Sequence, residues 1–351
     1  MTQPRRYLVI SLLSAVIAAG LWYSMRPAPT VPTPTLSQRY SIALDMAQNG
    51  KPGAARVLYQ QLARNDLTDA RRVKLHAELP NYPSPQALKL ADADLHSTSP
   101  LVRTAAIQSI VGLVPNAQRT LLLGPLLDDP EQTVRFAAAN ALLGLSPDEQ
   151  GLYFGPLQQV IDEFERDLKT RPDDPQAQGQ LARLYLHEGQ LDNAQAALEQ
   201  MTRLAPDDIK AVAAQIDLLD KRGQAEQARQ LLASQLEAHP DSAYLQHTLG
   251  IWLLNHGQTE YALLGLAKAV ELEPDNSDYR YKLATALHDL DQLEAAQRQL
   301  EELLQRQPAN RKARVLLIGY WKEAGQLQNV QVLLAQLEQQ NPDDPALQQG
   351  L

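Results

Sequence analysis

The chain has 351 residues, a formal net charge of −9, and a composition that is 44% hydrophobic but only 5% aromatic. Abundant Ala, Leu and Gln with few β-branched runs favour helix over strand. Because no basic cluster stands out, nucleic acid is not the expected partner. Because the chain has no cysteine, disulfides, thiolate metal sites, a cysteine nucleophile and covalent haem attachment are excluded.

The N-terminus has the features of a membrane anchor. Residues 7–25 carry no charge and are about as long as a helix that crosses a bilayer core. Two arginines precede this segment, and Trp22 and Tyr23 lie near its end, as in an aromatic belt. The pattern predicts residues 1–6 in the cytoplasm, a single-pass signal anchor at 7–25, and a periplasmic body at the bacterial inner membrane.

A cleaved signal peptide is the alternative interpretation of the same segment. The small residues Ala18, Ala19 and Gly20 would supply its cleavage region. The Pro/Thr-rich residues 26–35 that follow are expected to form an extended linker.

Residues 36–146 contain two repeat patterns that are weaker than the 34-residue repeat of the second half of the chain. Residues 36–92 are predicted to form degenerate helical hairpins, with Gly50 and Ala55 at the spacing of the repeats described below. In residues 93–146, the stretch PLVRTAAIQSIVGL from Pro100 aligns with QTVRFAAANALLGL from Gln132 at an offset of 32 residues.

The acidic turn LLDDPEQTVR before the second copy resembles the inter-helix turn of HEAT repeats. The resemblance implies that its Asp and Arg side chains bond successive turns and perform no chemistry; these are Arg103, Asp128, Asp129 and Arg135. Residues 147–174 then contribute a lone helix that bridges the two arrays. We interpret its acids as a solvated helix face, at Asp162, Glu163, Glu165 and Asp167.

The second half of the chain has a period of 34 residues. Steps of 34 from Pro172 reach five further prolines, at Pro206, Pro240, Pro274, Pro308 and Pro342. Five units follow: 175–208, 209–242, 243–276, 277–310 and 311–344. The fifteenth place of each unit is Gly, or Asp291 in the fourth unit; the twentieth is Ala, or Val330 in the fifth; the twenty-fourth is always Leu.

Each of these residue types has a physical role in a helical hairpin. Glycine ends the first helix because it adopts a left-handed conformation at little cost. The alanine allows close helix approach, the leucine fills the interface, and proline ends the second helix. The aspartate directly after the proline is expected to cap the next helix, at Asp173, Asp207, Asp241 and Asp275.

These units resemble tetratricopeptide repeats. The usual large aromatic of the fourth place is absent, and Gln178, Val212, Gln246, Arg280 and Arg314 stand there. The fold expected is all-α: a right-handed α-solenoid of tetratricopeptide and HEAT-like repeats with one N-terminal transmembrane helix. Residues 345–351 would be the stub of a capping helix.

No motif of catalysis or metal binding stands out. The seven histidines do not form an H-x-x-x-H pair or a His/Glu cluster with ligand spacing, and we interpret them as helix-surface residues. No glycine-rich phosphate loop or nucleophile motif is present. We therefore expect no enzyme activity, no metal and no cofactor.

Binding of a protein or peptide is the function that the repeats favour. In tetratricopeptide arrays the first helices line a groove, mainly through places two, five, nine and twelve. The resemblance carries those places onto an aromatic and aliphatic patch rimmed by charge: Arg183, Leu186, Lys210, Asp217, Tyr244, His247, Ile251, Leu254, Tyr281 and His288. Ordinary packing between helices is the alternative for all of them.

One known variant of the groove is excluded. Arrays that clamp a chaperone's C-terminal carboxylate have lysine in the fifth place. Here the fifth places are Gly179, Ala213, His247, Tyr281 and Val315.

The predicted function is a membrane-anchored interaction scaffold or assembly factor in the bacterial cell envelope. The HEAT-like and tetratricopeptide part resembles the C-terminal half of some bacterial multihaem c-type cytochromes, without their haem motifs. That likeness implies two alternatives: an accessory subunit of a membrane complex, redox or cytochrome-containing, or a non-covalent haem and electron-transfer protein.

Overall fold

The structure is a computed structural model that describes residues 36–348. The predicted N-terminus, anchor and linker lie outside these residues, as do residues 349–351 of the predicted stub. Ile42–Leu351 form one compact unit; of the other unit, Met1–Ser41, only 36–41 are described. Among the described helices, none is long and apolar enough to cross a bilayer.

Within residues 36–348 the secondary structure is helical, without strands, which confirms the all-α prediction there. Before the 34-residue repeats the helices are α1 (Leu36–Gln48), α2 (Ala54–Leu62), α3 (Asp69–Glu78), α4 (Pro85–Leu95), α5 (Pro100–Leu113), α6 (Asn116–Leu123), α7 (Gln132–Leu142), α8 (Pro147–Gln150) and α9 (Phe154–Lys169). Short 3₁₀ turns lie at Leu79–Asn81, Gly124–Asp128 and Gly151–Tyr153.

The five repeats each contribute two helices. The first helices are α10 (Pro175–His187), α12 (Ile209–Lys221), α14 (Ala243–Asn255), α16 (Ser277–His288) and α18 (Arg311–Glu323). The second helices are α11 (Leu191–Leu204), α13 (Ala225–Ala238), α15 (Thr259–Leu272), α17 (Leu293–Arg306) and α19 (Leu327–Gln340). A last short helix, α20 (Pro345–Gln348), follows.

The turn between the two helices of each repeat has the geometry that its residue type predicts. Glycine holds a left-handed backbone in four units, with φ between 69° and 72°. In the fourth unit Asp291 takes the same conformation, with φ 57°, as the only non-glycine residue at positive φ in the described chain. Because a residue with a β-carbon is strained in the left-handed conformation, the turn at Asp291 is expected to be the least stable of the five.

The small and the large core places are both buried. The alanine of the twentieth place is fully buried in four units, and Val330 is 4% exposed in the fifth. The leucine of the twenty-fourth place is buried in the first four units, whereas Leu334 is only partly buried. The two helices of a unit therefore meet as the repeat pattern requires.

The caps predicted at Asp173, Asp207, Asp241 and Asp275 are wrong by one residue. The side chains that accept from the free N–H groups are those of the second residue after the proline, not of the first. Asp174 accepts from Gln176 N at 2.9 Å, and Asp208 from Lys210 N at 2.9 Å. Ser242, Asn276 and Asn310 do the same in later units. An N-cap must directly precede the first helical residue, and that residue lies three places after each proline.

The polar residues in the fourth place have a structural role. Gln178 Nε2 donates to the carbonyl of Pro172, and Gln246 Nε2 to that of Pro240, both at 3.2 Å. Arg314 donates to the carbonyl of Pro308 in the same way. The side chain that replaces the usual aromatic thus satisfies a carbonyl at the joint between units.

Helix α9 keeps the register of the second helices. Val160 and Phe164 stand 34 residues before Ala194 and Leu198, and they are 5% and 8% exposed. The Phe164 ring lies 4.4 Å from the ring of Phe136 on α7. The helix is therefore packed as a repeat helix on one side while it contacts the preceding array on the other.

Three of the four acids on α9 form ion pairs at partly exposed positions. Glu163 bonds Arg135, Glu165 bonds Lys169 at 2.6 Å, and Asp167 bonds Arg171 at 2.8 Å. The hydrogen bond from Arg135 holds the pKa of Glu163 below its ordinary value.

The Asp/Arg ladder forms only in part. Arg103 Nη2 contacts Asp129 Oδ1 at 2.8 Å, and both residues are buried. Arg135 donates to the Asp129 carbonyl at 2.7 Å, whereas Asp128 is exposed. The contacts are structural, and the resemblance to HEAT repeats stays a prediction.

Two segments of the unit Ile42–Leu351 that are distant in sequence, one early and one late, contact each other. Gly53 N donates to the Gln339 carbonyl at 2.7 Å, and Asn341 Nδ2 donates to the Pro83 carbonyl at 2.7 Å in a buried position. A β-carbon on Gly50 would lie 2.6 Å from the Pro308 oxygen. We call this meeting of residues 50–83 with residues 308–341 the closing contact. It covers the end of the last repeat, where a capping element is normally required.

Candidate functional site

A cleft of about 280 Å³ lies between α12 and α14, the first helices of the second and third repeats. Four predicted groove residues line it together: Asp217 from α12, and Tyr244, His247 and Ile251 from α14. They converge because places two, five, nine and twelve of a first helix lie on one helical face.

The floor of the cleft is apolar and its aromatic groups are partly covered. Burial, followed by the charge of Asp208, raises the pKa of Tyr244. The ring of His247 stacks on that of Tyr279 with centroids 4.7 Å apart. Burial and then the charge of Lys282 lower the pKa of His247, against a smaller opposing effect of Asp278. His247 is therefore held toward its neutral form.

Sequence reasoning missed the residue that braces the cleft wall. Trp252, 7% exposed, lines the cleft and donates from Nε1 to Asp220 Oδ1 at 3.0 Å. His256 stacks on the same indole at 4.1 Å. Trp252 occupies the tenth place of its unit, next to the ninth-place Ile251, so the groove pattern alone gave no signal for it.

Two other predicted residues form a second aromatic patch on α16. Lys312 Nζ lies 4.0 Å above the ring of Tyr281. His288 stacks on Tyr320 at 4.2 Å and its Nε2 contacts Glu323 Oε2 at 2.8 Å. Both side chains already have partners on α18, so less of their surface remains for another protein.

The remaining predicted residues do not join the cleft. Leu186 and Leu254 are partly buried and pack against hydrophobic clusters of the repeats, which matches the alternative of ordinary packing. Lys210 is exposed in the first turn of α12. Arg183 lines a different cavity, where its Nη2 donates to Asn140 Oδ1 at 3.2 Å.

A serine, a histidine and an aspartate meet inside the N-terminal half. His76 of α3 lies between Ser109 Oγ, 2.9 Å from Nδ1, and Asp94 Oδ2, 2.8 Å from Nε2. His76 is 1% exposed, so its interpretation as a surface residue is wrong. Burial acts to raise the pKa of Asp94, but hydrogen bonds from His76 and Arg72 outweigh it and the pKa is lowered.

The three side chains are arranged as in a Ser-His-Asp catalytic triad, but a substrate cannot reach the serine. Ser109 is 1% exposed, and its hydroxyl donates to the His76 carbonyl at 2.9 Å. A nucleophile must reach a substrate, whereas this oxygen is enclosed by helices α3 and α5. The trio joins α3, α4 and α5 and has a structural role. Among the residues the structure describes, no group of three or more His, Cys, Asp or Glu side chains could hold a metal ion.

Sequence models of the tetratricopeptide repeat match residues 157–216, 188–251 and 266–298. The chain contains tetratricopeptide repeats. The first match begins within α9, in agreement with the register of that helix. No curated protein matches the chain.

Several solved tetratricopeptide structures are similar over part of the chain. YrrB, described as having an unusual peptide-binding site, is 18% identical over 54% of this chain and 98% of its own, with a TM-score of 0.37. PilW, a type IV pilus biogenesis factor, is 20% identical over 55% of this chain and 90% of its own, with a TM-score of 0.42. MamA from Desulfovibrio magneticus RS-1 is 18% identical over 55% and 96%, with a TM-score of 0.32.

Proposed function

We propose that the protein is a non-enzymatic interaction scaffold that binds a segment of another protein in the cleft between α12 and α14. The observation that carries the proposal is the convergence of Tyr244, His247 and Ile251 on one open cleft, with carboxylates at its rim. Aromatic and aliphatic side chains grouped in a concave site are the usual anchors of peptide recognition.

The lining defines the chemistry of the bound segment. An apolar side chain fits between Tyr244 and Ile251, where burial of about 100 Å² of apolar surface stabilises a complex by roughly 2.5 kcal/mol. Asp217 at the rim favours a basic residue beside that anchor, although Lys221 lies 3.7 Å from its carboxylate. The bond between Trp252 and Asp220 holds the wall of the cleft in place before binding, which lowers the entropic cost.

The cellular role follows from the N-terminal sequence together with this cleft. An anchor at residues 7–25 and a linker at 26–35 would display the array on the periplasmic side of the bacterial inner membrane. A scaffold so placed would recruit or assemble an envelope complex. A membrane complex, redox or cytochrome-containing, is the partner class that the cytochrome resemblance favours.

Site-specific photo-crosslinking tests the cleft. A photoreactive phenylalanine analogue replaces Tyr244 in one variant and the exposed Tyr261, on the second helix α15, in another. In intact cells we expect a discrete crosslinked product from position 244 and none from position 261. The double variant Tyr244→Ala, Ile251→Ala should abolish partner capture while the thermal unfolding midpoint stays within a few degrees. Leu254 is kept because it packs on the core.

The accessory-subunit alternative predicts the opposite crosslinking pattern. Tyr261 and Leu264 are 65% and 72% exposed on α15, which gives the second-helix face an apolar pair of its own. Crosslinks from position 261 alone would reject the cleft and favour docking on that face. Unchanged partner capture by the Tyr244→Ala, Ile251→Ala variant would also reject the cleft as the binding site.

A further inference from the structure

A larger cavity, of about 510 Å³, lies where the N-terminal helices meet the first repeat. Arg119 of α6 and Arg183 of α10 line it, and no aspartate or glutamate does. Three primary amides complete the polar lining: Gln108, Asn140 and Gln180. In a chain with a net charge of −9, a cavity with two guanidinium groups and no acid in its wall is electrostatically distinct.

The two guanidinium groups approach the same place on α7. Arg183 Nη2 donates to Asn140 Oδ1 at 3.2 Å, and Arg119 Nη1 lies 3.5 Å from the carbonyl of the next residue, Ala141. These contacts come from opposite sides of the junction, one from α10 and one from α6. The geometry places two cations around one turn of helix.

Neither arginine is neutralised by a close carboxylate. In the described chain no Asp or Glu oxygen lies within 4 Å of either group. Arg119 acts on one carboxylate at longer range: its charge helps to lower the pKa of Glu149, after the hydrogen bonds from Ser146 and Asn116. By contrast, Arg103 and Arg135, on neighbouring helices, are both paired with acids.

Arg119 also has unused hydrogen-bonding capacity. Its Nη2 lies 3.3 Å from the Val111 carbonyl, and its buried Nε has no partner. A guanidinium carries five N–H donors, so two long bonds leave most of them free. A buried donor without a partner costs free energy, and an anionic acceptor would satisfy it.

We propose that this cavity binds a carboxylate of a peptide segment. Two guanidinium groups suit a carboxylate through charge-assisted hydrogen bonds, and the amides suit the peptide backbone beside it. The cavity volume exceeds that of a single inorganic anion, and Leu143, Phe164 and Leu184 supply apolar wall for neighbouring side chains. The ligand class rests on the proposed function, since the segment would belong to the same protein partner.

The site differs from the carboxylate clamp that the fifth-place residues exclude. One of its cations, Arg183, stands in the ninth place of a repeat, and the other comes from outside the repeats. It therefore exists only where the N-terminal helices and the first repeat are packed together.

Isothermal titration calorimetry of the full-length chain with a short acidic peptide tests the proposal. The probe is N-acetylated Ala-Leu-Glu-Glu with a free C-terminus, at low ionic strength. Two control peptides are titrated in the same way. The first is the same sequence with an amidated C-terminus, which removes only the terminal carboxylate. The second is amidated Ala-Leu-Gln-Gln, which removes the side-chain carboxylates as well. We expect Arg183→Gln and Arg119→Gln each to weaken binding of the carboxylate peptide about tenfold. The matched control Arg298→Gln, which removes an exposed arginine on α17, should bind as the unaltered chain does.

Arg183→Gln is the decisive variant because Arg183 is exposed, whereas Arg119 contacts two helix C-termini and its loss lowers stability as well. Equal affinity of Arg183→Gln and Arg298→Gln would overturn the proposal. So would binding of the Gln-Gln amide as tightly as the acidic peptide, or displacement of the peptide by an equal concentration of inorganic phosphate.

The same titration separates this site from the cleft. The Tyr244→Ala, Ile251→Ala variant should bind the acidic peptide normally, because neither residue lines the cavity. Normal peptide binding without crosslinking at position 244 would count against the cleft alone. Crosslinking at position 244 without peptide binding would count against the cavity alone.

Discussion

The repeat array and the closing contact both join helices, but the array uses recurring contacts and the closing contact uses contacts that occur only once. In the array each joint uses the same residue types 34 positions apart, so a weak residue such as Asp291 has four counterparts that show what the place requires. At the closing contact each interaction occurs once: Gly50 against Pro308, Gly53 with Gln339, and Asn341 with Pro83. The recurrence shows what each joint of the array requires, whereas the requirements of the closing contact can be judged only from the structure.

The closing contact is also more polar than the core of the repeats. Asn341 is 1% exposed, and its Oδ1 has no hydrogen-bond partner. Burial lowers the pKa of Arg314, against opposing effects of the nearby Tyr82 and Asp344. Buried polar groups stabilise a contact only when the geometry satisfies them, so this region is the more demanding of the two.

The largest expected effect is in the array. Leu300→Ala removes a fully buried side chain at the twenty-fourth place and should lower the free energy of unfolding by about 2–5 kcal/mol. The equivalent changes at Leu198, Leu232 and Leu266 should cost a similar amount, and that at the partly buried Leu334 less. Urea unfolding followed by circular dichroism measures this. Leu264→Ala, at an exposed leucine, is the control and should stay within about 0.5 kcal/mol.

The second prediction compares glycines at positive φ in the two regions. Gly189→Ala adds a β-carbon that meets nothing within 4 Å, so only backbone strain of about 1–2 kcal/mol is expected. Gly50→Ala has the same strain and also a clash with the Pro308 carbonyl, so it should cost more. Hydrogen exchange should show faster exchange in α19 for Gly50→Ala alone. Equal effects of the two substitutions would mean that the closing contact adds nothing to stability.

The third prediction exchanges the two turn residues of neighbouring units. Asp291→Gly should stabilise the protein by up to about 1 kcal/mol, because glycine relieves the strain at φ 57°. Gly325→Asp is the reciprocal change and should destabilise by a similar amount. Thermal unfolding midpoints of the two variants give the comparison. A loss of stability in Asp291→Gly would show that the Asp291 side chain has a role beyond the turn.

The smallest expected effect is the pH dependence of stability that arises from His247 in the cleft. The pKa of His247 is lowered below 6.5 in the folded protein. Since the unfolded chain then takes up the proton first, the free energy of unfolding falls as the pH drops through 6.5 and levels off below the folded pKa. Ring-proton NMR titration should show this pKa, and Lys282→Gln should raise it. Lys268→Gln, on α15, should leave it unchanged.

Much of the array could be read in the sequence, but the site could be read only in part. The repeats, the left-handed turns and the buried Ala and Leu places were predictable because the period states the same requirement several times. The groove places brought Asp217, Tyr244, His247 and Ile251 into one cleft, but the pattern did not distinguish them from Leu186 and Leu254, which pack internally. Periodicity identifies a face, and the neighbouring helices decide how much of that face stays open.

By itself the sequence determined what depends on neighbours along the chain: helix starts, turns, proline joints and the contacts of one repeat with the next. Only the tertiary structure decided the features that join distant residues. These are the bond of Asn341 to Pro83 across 258 positions, the buried bond of His76 with Asp94, and the two arginines around one cavity. The physical reason is that local propensity and period act over one or two helices, whereas these contacts require the packing of the whole array to bring single residues together.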